Sequence, residues 1–150
     1  MIYLDASVVF SLYCTDLNSA LAVSLISASS EPLILSSLCE FEVINALSLC
    51  VFRKELSEKE ALGARLRLGR NIDQGAYVVR PVSEDAFTRA KVLAEKLTPL
   101  VGVRAADLLH VSVALETGAK SFYTFDRKQH RAASTARLEV NQLPGAITAI

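Results

Sequence analysis

The sequence contains no tryptophan, only one methionine and three cysteines, and no net charge. Its sixteen basic and sixteen acidic residues balance, which excludes a bulk electrostatic attraction of the whole molecule to nucleic acid. Any binding to nucleic acid must therefore come from a local group of basic side chains. The cysteines, Cys14, Cys39 and Cys50, have neither a CxxC nor a zinc-like spacing, which predicts buried, reduced thiols.

Long apolar segments are missing as well. No segment approaches the roughly 20 apolar residues that cross a bilayer. Residues 1–5 (MIYLD) have neither the basic leader nor the apolar run of a signal peptide. We therefore expect a cytoplasmic protein without membrane contact. There is no Pro/Ser-rich linker, low-complexity tract or repeat, and 51% hydrophobic content suffices for one core. A single domain over residues 1–150 is expected.

Short β-prone runs alternate with longer helical patterns along the chain. The predicted strands cover residues 2–4, 33–35, 77–79 and 121–125, with a weak fifth strand near 138–140. The predicted helices cover about residues 8–13, 20–29, 38–53, 58–73, 84–97 and 104–116, and a short helix precedes the last strand. Apolar strands separated by helices indicate a parallel sheet covered on both faces. The predicted fold class is α/β, a three-layer α/β/α sandwich with a mostly parallel sheet of four to five strands.

Helix-end signals mark several boundaries. Ser57 and Glu60 have the spacing of a capping box, and Ser83 is a predicted N-cap. Thr98-Pro99 predicts the end of one helix, and Gly118 predicts a C-terminal cap for the next.

Four acidic residues follow predicted strands or begin helices: Asp5, Glu42, Asp107 and Asp126. In parallel sheets, ligands bind outside the carboxyl ends of the strands. Oxygen-only ligands suit hard cations such as Mg²⁺ or Mn²⁺, and no Cys/His spacing competes for a softer metal. If the four side chains converge, the chemistry they indicate is metal-assisted phosphodiester cleavage.

Three of the four acids also have a purely structural interpretation. Asp5 and Asp126 can cap the helices that follow them, and Asp107 can complement a helix dipole. Apolar residues surround Asp107, however, and a carboxylate in a packed turn needs a partner.

Glu40 and Glu42 compete for the same position in the site. They lie about 200° apart around a helix, so only one can face a given cleft. Ser37 and Glu40 have the spacing of a capping box, which leaves Glu42 for the site. The other acids, Asp16 among them, are predicted to lie on the solvated surface.

Four short motifs occur in a fixed order: LDAS (4–7), E-x-x-N-A-L (42–47), D-x-x-H (107–110) and TFD (124–126). In these motifs the chain resembles the PIN-domain ribonucleases of the VapC toxin type, over about residues 2–140. The resemblance implies that Asp5, Glu42, Asp107 and Asp126 are the catalytic, metal-binding acids, supported by Ser7 and Thr124. The chain differs from many relatives in the loop before the predicted strand of residues 121–125. This loop contains Gly118-Ala119-Lys120, where many relatives have a Gly-rich segment.

The resemblance also implies an activity and partners. It implies an endoribonuclease that depends on Mg²⁺ or Mn²⁺, acts as the toxin of a toxin-antitoxin pair, and forms a homodimer. A groove beside Glu42 on the helical hairpin of residues 38–73 is the expected antitoxin site.

Two other interpretations stay open: a housekeeping ribonuclease that is not a toxin, and a non-catalytic PIN or receiver-like interaction module. A phospho-receiver would need paired acids after the first strand and an acceptor Asp after the third. Asp5 stands alone, and Val79-Arg80-Pro81 contains no acceptor.

Basic side chains form two groups that are available to an RNA backbone. Arg127, Lys128 and Arg131, with His130, directly follow Asp126. The hairpin carries the second group, for which a solvated face is an equal interpretation: Arg53, Lys54, Lys59, Arg65, Arg67 and Arg70.

Three further side chains have expected places. Arg104 is expected to steer phosphate or to pair with the acids. His110 is expected to be semi-buried and hydrogen-bonded rather than a general base, and His130 is expected on the surface.

Overall fold

Five short strands form the sheet of the computed structural model, which describes residues 1–145. They are β1 (Ile2–Leu4), β2 (Leu33–Ser36), β3 (Val78–Arg80), β4 (Ser121–Tyr123) and β5 (Glu139–Val140). Their order is β3-β2-β1-β4-β5, and every neighbouring pair is parallel. The predicted α/β class and parallel sheet are confirmed. Because the chain winds outward in both directions from β1, the edge between β1 and β4 is the topological switch point, where such sheets bind ligands.

Seven helices are described within residues 1–145 and cover both faces of the sheet. They are α1 (Ala6–Tyr13), α2 (Ser19–Ser27), α3 (Ser37–Phe52), α4 (Glu58–Asp73), α5 (Glu84–Val101), α6 (Ala105–Glu116) and α7 (Arg127–Thr135). None of these helices is both long and apolar enough to span a bilayer.

The central strand β1 divides the core into two clusters. Ile2 and Leu4 pack with α1, α3 and α4, whereas Tyr3 packs on the other face with α5, α6 and α7. Successive side chains of a strand point to opposite faces, and all three are buried because helices cover both sides. This burial explains why the strand is apolar without polar alternation.

Two predicted helix boundaries are wrong. Pro99 does not end α5, which continues to Val101 and is capped by Gly102 in the left-handed conformation with φ 66°. Near a C-terminus a proline removes only one intrahelical bond, and Leu97 and Val101 pack into the core. The N-cap of α3 is Ser36, whose hydroxyl accepts the Cys39 N–H, whereas Ser37 instead accepts the N–H of Val82.

Other local predictions agree with the structure. The Ser57–Glu60 capping box and the Ser83 N-cap are present, and Gly118 follows α6 with φ 69°. Strand β4 ends at Tyr123, before the predicted Phe125. All three cysteines are free thiols, as predicted, but the predicted burial is confirmed for Cys39 and wrong for Cys14 and Cys50, which are partly exposed. The single domain over residues 1–150 stays a prediction, and its last five residues lie outside the described part.

Candidate active site

The four acids singled out by the sequence line one open cleft of about 390 Å³. Asp5 directly follows β1 and Asp126 follows β4, so these two lie at the switch point of the sheet. Glu42 comes from α3 and Asp107 from the first turn of α6. The other polar side chains that line the cleft are Ser7, Ser11, Asp16, Asn18, Asn45 and Arg104.

Asp5 is fixed in place as the N-cap of α1. Its Oδ1 accepts the backbone N–H groups of Ser7 and Val8 and, at 2.6 Å, the Ser7 hydroxyl. The side chain is buried, and burial raises its pKa from the ordinary 3.8 to about 6, although His110 and, to a smaller extent, the hydrogen bonds from Ser7 and Val8 oppose this rise in pKa. The hydrogen bonds to Asp5 within residues 1–145 end on Oδ1. The nearby Thr124 hydroxyl, which donates to Gln129, also lowers the pKa of Asp5 slightly. The capping interpretation of Asp5 is therefore right, and it leaves one oxygen free for a ligand.

Ser7 joins Asp5 to the loop after β4. Its hydroxyl donates to Asp5 Oδ1 and accepts the N–H of Phe125 at 2.9 Å. One side chain thus sets the distance between the first acid and the segment that carries Asp126. This position is consistent with the supporting role predicted for Ser7.

Asp126 is the N-cap of α7 in the same manner. Its Oδ1 accepts the N–H groups of Lys128 and Gln129, both at 2.8 Å. Thr124 shapes this turn, because its hydroxyl accepts the Asp126 N–H and donates to Gln129 Oε1. Thr124 therefore supports the backbone of Asp126, not its carboxylate.

Asp107 is paired with Arg104, the residue that precedes α6. Its Oδ2 accepts the backbone N–H of Arg104 at 3.2 Å and Nε–H at 3.1 Å, and Oδ1 accepts Nη2–H at 3.4 Å. The Asp107 carboxylate is nearly buried, whereas the Arg104 side chain is 75% exposed. Of the two roles expected for Arg104, the pairing with an acid is present. Because the guanidinium is exposed, this ion pair contributes little stability.

Glu42 contacts a buried histidine. Its Oε2 lies 2.7 Å from His110 Nε2, and His110 Nδ1 lies 2.7 Å from the Tyr3 hydroxyl. His110 is fully buried, not semi-buried as expected, but it is hydrogen-bonded as predicted. Burial raises the pKa of Tyr3 well above its ordinary value, so this hydroxyl stays protonated.

Four polar residues of the cleft were not identified as site residues by the sequence analysis: Ser11, Asp16, Asn18 and Asn45. Asn45 lies one turn after Glu42 on α3, and this i, i+3 spacing already places the two on one face of a helix. Asp16 was assigned to the solvated surface, and although it is exposed, it lines the cleft and accepts the Ser11 hydroxyl at 2.7 Å. No sequence pattern indicates Asp16, because its position depends on how the loop between α1 and α2 folds.

The basic residues proposed for RNA binding do not line the cleft. Arg127, Lys128 and Arg131 are exposed on α7, directly after Asp126. Arg104 is the cationic side chain that lines the cleft within the described residues. His130, which was expected on the surface, is partly exposed, and its Nε2 lies 2.8 Å from the carbonyl oxygen of Asn141.

The donor chemistry of the cleft fits a hard divalent cation. Asp5, Glu42 and Asp126 each keep one carboxylate oxygen that no donor in residues 1–145 occupies. In the same part of the chain, no group of three or more Asp, Glu, His or Cys side chains is close enough to form a ready-made metal site. The arrangement suits Mg²⁺, which keeps several waters and binds through one or two carboxylates.

Comparison with known families agrees with this geometry. A model of the PIN domain family matches residues 2–134. The chain belongs to the PIN domain family. Members of this family are nucleases and generally use divalent metals. The resemblance inferred from the four short motifs is therefore confirmed at the level of the family.

Solved structures show the same fold as this PIN domain. VapC20 of Mycobacterium tuberculosis, described as a sarcin-ricin loop cleaving toxin, has 20% identity and a TM-score of 0.65, covering 88% of this chain and 95% of its own. FitAcB of Neisseria gonorrhoeae has 19% identity, a TM-score of 0.67, and coverages of 95% and 97%.

A third structure is VapBC2 of Rickettsia felis, bound to a DNA fragment from their promoter. It has 17% identity, a TM-score of 0.64, and coverages of 94% and 98%. At these identities the likeness establishes the fold alone. A comparison with curated proteins returned no significant match.

Proposed function

We propose that this PIN domain is an endoribonuclease dependent on Mg²⁺ or Mn²⁺ and the toxin of a toxin-antitoxin pair. The observation that carries the proposal is the convergence of Asp5, Glu42, Asp107 and Asp126, from four separate segments, on one cleft at the carboxyl edge of the sheet. An acidic cleft of this kind repels an RNA backbone unless a cation neutralises it.

The side chains have separate tasks in this proposal. Asp5 and Asp126 are held rigidly as helix caps, so their free oxygens are fixed relative to the sheet. When bound, a divalent cation polarises the phosphoryl group and lowers the pKa of a bound water. Arg104 has an exposed guanidinium at the same cleft, and it can bind a phosphate oxygen of the RNA while its backbone N–H still holds Asp107.

An antitoxin is the proposed protein partner. The structural neighbours of this chain include VapC20, described as a toxin, and VapBC2, which is bound to a DNA fragment from their promoter. Next to the cleft, α3 exposes apolar side chains that an amphipathic segment can cover: Phe41 is 65% exposed and Phe52 is 84% exposed. We also propose a homodimer, which the family resemblance implies. A cytoplasmic location is part of the same proposal, because such a toxin acts on cellular RNA.

Cleavage of RNA with and without metal tests the proposed chemistry. We expect purified protein to cut RNA with Mg²⁺ or Mn²⁺ and to lose this activity in EDTA, with recovery when Mn²⁺ is added back. Cleavage that continues undiminished in EDTA contradicts the metal mechanism.

Expression in the native host tests the toxin role separately. We expect growth arrest when the chain is expressed alone, and relief of the arrest when the antitoxin is co-expressed. A chain that cuts RNA in vitro but is harmless when expressed alone is a housekeeping nuclease instead.

A further inference from the structure

A chain of buried hydrogen bonds leads from the sheet to the candidate ligand Glu42. The Tyr3 hydroxyl lies 2.7 Å from Ser36 Oγ and 2.7 Å from His110 Nδ1, and His110 Nε2 lies 2.7 Å from Glu42 Oε2. Ser36 and Tyr3 are 0% exposed and His110 is 1% exposed. These hydrogen bonds connect four elements, β2, β1, α6 and α3, and the last one ends in the cleft.

Counting the hydrogens fixes the direction of this chain. Ser36 Oγ accepts the Cys39 N–H, and the Tyr3 hydroxyl is the remaining partner for the Ser36 hydroxyl hydrogen in residues 1–145. Two hydroxyls can exchange the roles of donor and acceptor, and an unpaired buried hydroxyl hydrogen is costly, so we assign Ser36 as the donor and Tyr3 as the acceptor. Tyr3 then donates to Nδ1 of His110. Nδ1 therefore carries no hydrogen, and the ring donates from Nε2 to the carboxylate of Glu42.

These hydrogen bonds begin at the N-cap of α3 and end on that helix. Ser36 is the N-cap of α3, and Glu42 lies on that helix, so α3 is held at its cap and at its ligand. His110 lies one turn after Asp107 on α6. Tyr3 is held by the ring of Phe122, which stacks on it at 5.2 Å and 11°. The distance between Glu42 and Asp107 is thus set through His110.

We propose that His110, with its tautomer fixed by Tyr3, is a positioning residue that holds the Glu42 carboxylate for a divalent cation. The inference rests on the proposed function, because it takes Glu42 as a ligand. Partners that orient metal ligands in this way typically change metal affinity about 10- to 100-fold when they are removed. A histidine that only stabilises the core has no such effect on the cation.

The tautomer is measurable in the protein without metal. Only two histidines are present, so the nitrogen-15 spectrum of the imidazole rings contains two sets of signals, and His130→Gln assigns them. We expect His110 to carry its hydrogen on Nε2 alone. In Tyr3→Phe, which keeps the ring and its stacking on Phe122, we expect a mixture of tautomers. A hydrogen on Nδ1 in the wild-type protein overturns the proposal.

Binding of Mn²⁺, followed by calorimetry, tests the effect on the site. We expect His110→Leu to raise the Kd for Mn²⁺ about tenfold or more, and His110→Gln to recover part of the loss through its amide N–H. If His110→Leu fails to fold, Tyr3→Phe replaces it in this test, and we expect Tyr3→Phe to raise the Kd for Mn²⁺ severalfold. The matched control is Tyr13→Phe, which removes a buried hydroxyl bonded to Tyr77 away from the cleft and leaves Kd unchanged.

A double-mutant cycle separates positioning from general stability. If Tyr3 acts through Glu42, Tyr3→Phe raises Kd in the wild-type background and has no effect on Kd in Glu42→Gln. An equal effect in both backgrounds, or none in either, overturns the positioning role. A wild-type protein that binds no Mn²⁺ refutes the proposed function itself, whereas one that binds Mn²⁺ regardless of Tyr3 refutes only the role of His110.

Discussion

At the scale of single residues, two acids of the cleft cap helices and, in the proposed function, also bind the cation. Asp5 and Asp126 each use Oδ1 to cap a helix, and no donor in residues 1–145 occupies the second oxygen. Asparagine caps a helix about as well as aspartate, but it carries no charge. An Asp→Asn change therefore separates the two tasks, which a change to alanine cannot do.

Asp5→Asn is expected to stabilise the metal-free protein at neutral pH. The folded-state pKa of Asp5 is about 6, above the ordinary 3.8. Protonated Asp5 therefore favours the folded state. This contribution to the free energy of unfolding is fully present below pH 3.8 and is lost as the pH rises through about 6. The loss is on the order of 3 kcal/mol. Urea unfolding should show a more stable variant at pH 7.5 and nearly equal proteins at pH 4.

Thermal melts with metal complete this test. Mg²⁺ should raise the Tm of the wild-type protein more than that of Asp5→Asn, because a cation that binds only the native state stabilises it. Asp85→Asn, an exposed acid on α5, serves as the control and should change neither response. If the wild type and Asp5→Asn respond equally to Mg²⁺, Asp5 is a cap and not a ligand.

Asp107→Asn is expected to abolish RNA cleavage while the fold is kept. The amide oxygen still accepts the backbone N–H of Arg104, and the lost ion pair is worth under about 1 kcal/mol because Arg104 is exposed. Activity should fall about a hundredfold or more, since the charge that binds the cation is gone. Initial rates and the Tm are measured together, and a near-normal rate assigns Asp107 a structural role.

At the scale of elements, the ends of the helices place the site. The cap of α1 is Asp5, the cap of α7 is Asp126, and Asp107 lies in the first turn of α6. Sequence patterns located these starts because capping residues are local. They failed at the end of α5, where packing of Leu97 and Val101 outweighs the proline at position 99.

Two glycines should respond in opposite directions to alanine. Gly102 ends α5 with φ 66°, and an alanine there should cost about 1–2 kcal/mol of unfolding free energy. Gly69 lies inside α4 with nothing within 4 Å of an added Cβ, so Gly69→Ala should add about 0.5–1 kcal/mol. Urea unfolding measures both. An alanine that is neutral at both positions contradicts the conformations described here.

At the scale of the whole molecule, a net charge of zero makes RNA binding depend on where the charges lie. Replacing Arg127, Lys128 and Arg131 together by Gln should weaken RNA binding. The slope of log K against log salt should fall in magnitude by about 2, because roughly 0.7 counterions are released for each phosphate contact with a single strand. Filter binding over a salt series measures the slope.

The helical hairpin supplies the matched control for this experiment. Arg53, Lys59 and Arg70 are equally exposed on α3–α4, and replacing them by Gln removes the same charge. We expect little change in the salt slope. If the hairpin variant changes the salt slope more than the α7 variant does, RNA binds along the hairpin and not along α7.

The sequence by itself determined the fold class, the four acids and the helix caps beside them. These features can be predicted from the sequence because each depends on local chemistry. The local signals are apolar strands between helical patterns, an aspartate at a helix start, and oxygen ligands for a hard cation. The family followed from the order of four short motifs, although no single motif is specific.

Only the tertiary structure decided which side chains meet. Tyr3 and His110 are 107 positions apart and Glu42 and His110 are 68 apart, yet both pairs are in hydrogen-bond contact. The sequence left open whether Arg104 pairs with an acid or binds a phosphate, and the position of α6 decides for the pair with Asp107. The sequence also did not indicate where Asp16 lies on the surface, and the loop after α1 brings it to the cleft. Contacts of this kind depend on the strand order β3-β2-β1-β4-β5, which brings distant segments to one edge and leaves no local trace in the sequence.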